Sequence, residues 1–197
     1  MSEFIAILKS LKIPTLNPDE LTKRSVQFER ATAFHEVGHA VASFRVGRKF
    51  RYVTIIPGDD SAGHVRNYRL SSSTTHMNVR QLEWDRFPDW IDRILMISLA
   101  GEAAQRKGAP RSVRQFHASG DRENIANWLF ATGAAGQEEY LAYCRERLES
   151  MFNDRVTWTG LVALVEALLE KKQLTYAESY KAFLEGEERL LKARHGA

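Results

Sequence analysis

Residues 33–39 read AFHEVGH, and the reading of this string decides what the rest of the chain must build. Placed on a helix, His35 and His39 lie four residues apart, so both imidazoles leave one face and can put two nitrogens on one metal ion at about 2.0–2.1 Å. Glu36 follows the first histidine, the position from which a carboxylate reaches a water on the metal rather than the metal itself. Zinc lowers the pKa of such a water toward about 7, and an adjacent carboxylate can accept its proton as the water attacks a carbonyl. Hydrolysis of a peptide bond suits this chemistry. On this chain's own His and Glu content the pattern arises by accident with a probability of about 0.015, so a pair of ordinary core histidines is the weaker reading.

The flanking residues support a helix. Asn17, Pro18 and Glu20 supply an N-cap, a first-turn proline and a capping-box acid, opening a helical stretch, with or without a break, to about Val46. Ala31, Ala33, Ala40 and Ala42 are small enough to permit close packing on either side of the histidines. A glycine inside a helix costs about 1 kcal/mol relative to alanine. Gly38 therefore predicts a close backbone approach by another element, and the neighbouring hairpin is the candidate.

That hairpin is expected from the alternation of Val53, Thr54 and Ile55, the turn formers Pro57, Gly58, Asp59 and Asp60, and a second extended run from about Gly63 to Tyr68. Leu70 to Phe87 has no clear period and reads as a loop with a short helical portion. From Pro88 the positions Ile91, Ile94, Leu95, Ser98 and Leu99 form a helical stripe that Gly108 and Pro110 end. Ser119 can cap a helix carrying Ile125, Leu129 and Phe130, which puts Asp121 in a first turn. Further helices are expected over Gln137 to about Asn153 and Trp158 to Lys171. A last helix is opened by the capping box of Thr175 and Glu178. The fold class is mainly α with a small β-hairpin or sheet, organised as an N-terminal extension over 1–27 and one domain over 28–197.

With 197 residues the chain can bury a core without a structural metal or disulfides. Its hydrophobic fraction of 44% and charged fraction of 27% are those of a globular protein. The one cysteine, Cys144, excludes an internal disulfide and a cysteine-based metal site, and reads as a buried thiol. A net charge of +3 with interleaved signs gives no support to nucleic-acid binding. The densest basic run, Arg48 to Arg51, reads as a solvated turn. The longest apolar runs are broken by Lys9, Lys12 and Glu102, so no membrane span is expected. The N-terminus lacks the features of a signal peptide, and the expected location is cytoplasmic.

Two histidines need a third ligand. The extended metzincin pattern would require glycine at 42 and histidine at 45, where this chain has Ala42 and Arg45. His64, His76, His117, Glu102 and Asp121 remain as candidates, and their chemistry alone does not rank them.

Four blocks in order, AFHEVGH at 33–39, VTIIPGDDSAGHV at 53–65, LAGEAAQ at 99–105 and ASGDRENIAN at 118–127, resemble the peptidase domain of the FtsH-type AAA zinc metalloproteases. The C-terminal ALLEKKQLTYAE at 167–178 is similar to that family's last helical region, so the likeness covers roughly residues 28–180. The resemblance implies an FtsH-type zincin peptidase domain, mostly helical with a small β element. It implies Zn2+ held by His35, His39 and Asp121, Glu36 as the general base, and a substrate lying extended against an edge strand beside the metal.

Two departures qualify it. No G-x-x-x-x-G-K-[ST] phosphate loop occurs in the sequence, so a peptidase without its own ATPase is expected. Gln105 stands where the family usually carries an acid, and if that acid orients a ligand, metal affinity would be reduced. The expected activity is zinc-dependent endopeptidase cleavage of flexible or unfolded polypeptides, with a homo-oligomer as one possible assembly. The alternatives are a peptidase subunit served by a separate ATPase partner and a non-catalytic zinc-containing module that binds peptides. Retention of Glu36 speaks against the last, because a purely structural site needs a closed fourth position rather than a base beside an open one.

Overall fold

The structure is a computed structural model and describes residues 18–58, 62–67, 89–112, 119–132 and 137–195. Its elements are α1 (Pro18–Arg45), β1 (Phe50–Thr54), β2 (His64–Asn67), α2 (Asp89–Gly108), a 3-10 turn (Pro110–Ser112), α3 (Ser119–Thr132), α4 (Gln137–Asn153), α5 (Arg155–Lys171), β3 (Gln173–Thr175) and α6 (Tyr176–His195). The protein is mainly helical with one small antiparallel sheet, in the strand order β2-β1-β3. The expected loop over 70–87, with His76, lies outside the described residues, as does His117.

α1 runs unbroken, and the boundary expected at residue 27 falls inside it, shortly before Ala31, the first buried residue among those whose burial is described. Its buried face carries Phe34, Val37 and Val41, spaced by three and four as a core-facing stripe requires. Each such side chain contributes roughly 1.5–3 kcal/mol by leaving water. α1 packs most extensively on α2, and Gly38 is where they touch: a Cβ there would collide with the Ala100 carbonyl oxygen and lie 2.7 Å from the Ala104 Cβ. The expected close approach at Gly38 is thus made by α2 and not by the hairpin. The hairpin lies along a different side of α1, where Gly63 performs the same service.

The hairpin pairs Val53 with Val65 and Thr54 with His64, and a register irregularity between Phe50 and Tyr52 leaves Arg51 opposite no residue. β3 adds a third strand that the sequence pattern does not reveal, pairing Tyr52 with Thr175 and Thr54 with Gln173. Its register is set by the end of α5, where Lys172 turns into the left-handed region at φ 65°. The carbonyl of Lys172 accepts from the Ile55 N–H at 2.9 Å and from the Thr54 hydroxyl at 3.0 Å. The capping box of α6 forms as expected, with the Thr175 N–H donating to Glu178 at 2.9 Å and the Glu178 N–H to Thr175 Oγ1 at 3.3 Å. α5 begins at Arg155, three residues before its expected start, because Asp154 caps it by accepting from the Thr157 N–H at 2.7 Å.

α3 is fixed to α2 by a small cluster of its own, Ile125 and Leu129 against Ile91 and Leu95. An ion pair from Arg122 to Glu102 at 3.1 Å adds a second attachment. Among the described residues no helix is long and apolar enough to cross a membrane.

Candidate metal centre

The α1–α2 crossing that fixes the helix spacing also fixes what lies beneath the two histidines. Gly101 of α2 faces them: a Cβ on it would overlap the His39 imidazole and come within 2.8 Å of His35 Nε2. The first turn of α3 brings Asp121 over the same spot, with its Oδ2 3.0 Å from His35 Nε2 and 3.2 Å from His39 Nε2. The ring planes of the two histidines stand at 82° to each other, with centroids 4.7 Å apart.

The other ring nitrogens are both engaged. His39 Nδ1 lies 2.7 Å from the Ile97 carbonyl oxygen, which can only accept, so this nitrogen donates. His35 Nδ1 lies 3.1 Å from Gln105 Oε1. The orientation of that amide is itself fixed: the Ser112 hydroxyl gives its proton to the Ala109 carbonyl at 2.6 Å and so accepts from Gln105 Nε2 at 3.0 Å. The amide oxygen is left for His35, whose Nδ1 donates to it.

With both Nδ1 atoms donating, a neutral ring presents its Nε2 lone pair to the Asp121 carboxylate. Two lone-pair-bearing atoms at such distances repel unless a proton or a metal cation lies between them. Without a metal, a proton serves. Burial alone would lower the pKa of His39, but the charge of Asp121 and its hydrogen bond outweigh burial and lift it to about 9. Burial pushes Asp121 the other way, yet the two histidines hold its carboxyl well below the usual range.

The donor set fits zinc. Two imidazole nitrogens and one carboxylate oxygen all lie within 4.8 Å of one another. Ligands about 2.05 Å from a tetrahedral centre are separated by about 3.3 Å, close to the two ligand distances to Asp121. Nδ1–H donation to a carbonyl is the usual support of a metal-binding histidine. Three protein ligands of this kind leave a fourth position, as in catalytic zinc sites.

Glu36, on the same helix, is only 6% exposed. Gly63 makes room for it, since a Cβ there would lie 3.0 Å from Glu36 Cγ and 2.7 Å from the Thr54 carbonyl oxygen. Burial raises the pKa of Glu36, with His39 and His35 opposing and Asp121 reinforcing the rise. Among the described residues no hydrogen bond engages its carboxylate, which leaves it available for proton transfer.

Of the remaining ligand candidates, Glu102 is taken by Arg106 and Arg122, and His64 lies beside Tyr52 with its Nε2 3.4 Å from the phenol oxygen. The structure brings together His35, His39 and Asp121, the last of which only the resemblance had singled out, while sequence reasoning overlooked Gly101, Gly63 and Ser112. The signal for Gly101 was present: it is a mid-helix glycine, open to the argument applied to Gly38. A groove of about 1250 Å³ lies between α2, α3 and α4, with Asp121, Ile125, Leu141 and Phe152 among its lining. No model of a known protein family matches this chain, and no curated protein does.

Proposed function

We propose that this protein is a zinc metalloendopeptidase, of the FtsH-like zincin type, that cleaves flexible or unfolded polypeptides. The observation that carries the reading is the approach of Asp121 Oδ2 to both Nε2 atoms, at 3.0 and 3.2 Å, next to a buried carboxylate with no other hydrogen-bond partner among the described residues. His35, His39 and Asp121 would hold the ion. Bound there, zinc supplies a Lewis acid that acidifies water and polarises a carbonyl.

The chain's own groups do the rest. Gln105 and the Ile97 carbonyl hold the rings in the ligating tautomer. Glu36 would receive the proton of the attacking water and deliver it to the leaving amine. An extended substrate would lie along β2, whose first residue follows the Gly63 contact with Glu36. Pairing along an open strand edge suits chains that already expose extended backbone.

The test is cleavage of a casein-like unfolded protein by the zinc-loaded chain, with and without a chelator. Chelator-sensitive cleavage that vanishes in Glu36→Gln, while that variant still binds one zinc, is the expected result. Loss of rate by about 10³-fold or more fits removal of a general base from a metal-assisted hydrolysis. A zinc-loaded wild type that leaves every unfolded substrate intact would refute the assignment.

A further inference from the structure

The basic run at Arg48 to Arg51, read from sequence as a solvated turn, acquires a neighbour in the fold. The hairpin register sets Asn67 opposite Phe50 and Arg66 opposite Tyr52, so Arg66 joins Arg48, Lys49 and Arg51 at one end of the hairpin. Lys49, Arg51 and Arg66 are exposed and Arg48 is half-buried. None of the ion pairs among the described residues involves any of the four. Four cations at one end of β1 and β2, with no ion pair to an acid among the described residues, create a positive potential that an anionic partner relieves.

The position of the patch narrows the choice of partner. Among the described residues β2 pairs with β1 alone, so its outer edge keeps unpaired backbone groups. The residue preceding it, Gly63, touches Glu36. A strand rises about 3.3 Å per residue, so Arg66 lies about 10 Å along the edge from that contact. A chain added to this edge with its reacting bond at Glu36 therefore passes the cations about three residues away.

Resting on the peptidase reading above, we propose that Arg51 and Arg66, supported by Arg48 and Lys49, select substrates carrying acidic side chains about three residues to one side of the cleaved bond. Backbone pairing along β2 fixes the register, and the guanidinium groups engage Asp or Glu with charge-assisted hydrogen bonds. The bland role of such charges is to keep an open edge from pairing with other copies. That role predicts aggregation when they are removed and no dependence on substrate sequence.

The experiment uses short quenched-fluorescence peptides sharing one uncharged core, with paired Asp, Ala or Lys placed at successive positions on either side. Zinc-loaded protein is expected to favour Asp over Ala about five- to tenfold in kcat/KM, on one side only and centred near the third position, with Lys below Ala. The ratio should fall below about twofold at about 0.5 M salt, where exposed charges are screened. It should fall similarly in the Arg51→Gln, Arg66→Gln double variant and survive in Arg51→Lys, Arg66→Lys. Binding of the same peptides to Glu36→Gln, read by fluorescence anisotropy, gives the preference independently of turnover. Equal cleavage of all peptides overturns the inference and leaves the peptidase reading standing. No cleavage of any peptide, with acidic ones still bound more tightly by Glu36→Gln, overturns the peptidase reading and keeps the acid-binding edge. A single-stranded oligonucleotide bound more tightly than every acidic peptide, or aggregation of the double variant without change in peptide preference, overturns the inference.

Discussion

Replacing Gly101 by alanine sets two effects of one methyl group against each other. Alanine is the better helix former by about 1 kcal/mol, and Gly101 is interior to α2, so propensity alone favours the variant. The new Cβ, however, would stand 2.8 Å from His35 Nε2 and nearer still to the His39 ring, where ordinary contact needs about 3.5 Å. The rings must withdraw by well over half an ångström. Metal–ligand distances tolerate about 0.2 Å, so at least one histidine is lost to the ion. Zinc affinity should fall about 100- to 1000-fold, or about 3–4 kcal/mol. The metal-free variant should melt within about 3 °C of wild type, since overpacking strain offsets the gain in propensity. At a fixed free zinc concentration well above the wild-type Kd, its melting temperature should trail by about 5–10 °C because less binding energy reinforces the folded state. A chelator-competition titration and paired melts measure both quantities. An alanine variant that binds zinc within about threefold of wild type would refute the placement of the two rings against α2.

Gln105→Leu removes the acceptor that holds His35 Nδ1 and should weaken zinc binding about 10- to 100-fold with little change in metal-free stability; Gln105→Glu should bind zinc at least as well as wild type. Competition titrations of both variants decide it, and equal affinity in Gln105→Leu would show that the amide does not orient the ring. The pKa of His39 is raised to about 9, so below that pH zinc must displace a proton. Affinity should rise about tenfold per pH unit between about 6 and 8, with about one proton released per ion in calorimetry across buffers. The metal-free fold responds in the opposite direction. A raised histidine pKa contributes stability that is complete below the ordinary value of 6.5 and is lost as pH climbs through about 9. Metal affinity that does not change over that range would contradict the His39–Asp121 contact.

The helices were legible because their signals are local. The Thr175–Glu178 box formed as expected, and of the expected stripe on α5, Leu161, Leu164, Val165 and Leu168 are buried and Leu169 is half-buried. β3 was not legible. Its three residues are too few to carry a period, and they are extended because β1 and the turn at Lys172 hold them so. The two histidines and Glu36 could be read from one turn of helix. Asp121 could not be chosen from sequence chemistry alone, since it meets His35 across 86 positions, and only resemblance singled it out. Gly38 announced a close neighbour but not which one, because the cost of glycine records that something approaches and carries no address. Gln105 was noticed as a departure whose effect depended on an unseen contact, and the contact with His35 gives it a role.

The sheet joins distant parts of the chain. Its middle strand ends at Thr54, while the strand on one flank begins only at Gln173, long after Asp121 has completed the trio of side chains around the candidate ion. Pairing over such a separation must first overcome the entropy of closing a large loop. During synthesis, then, the cation-holding groups exist well before the platform beside them has both its neighbours. On the proposed peptidase reading, the order of synthesis leaves an interval in which the candidate ligands have been made but the sheet beside them lacks a strand, so cleavage would await the pairing of Gln173–Thr175 with β1.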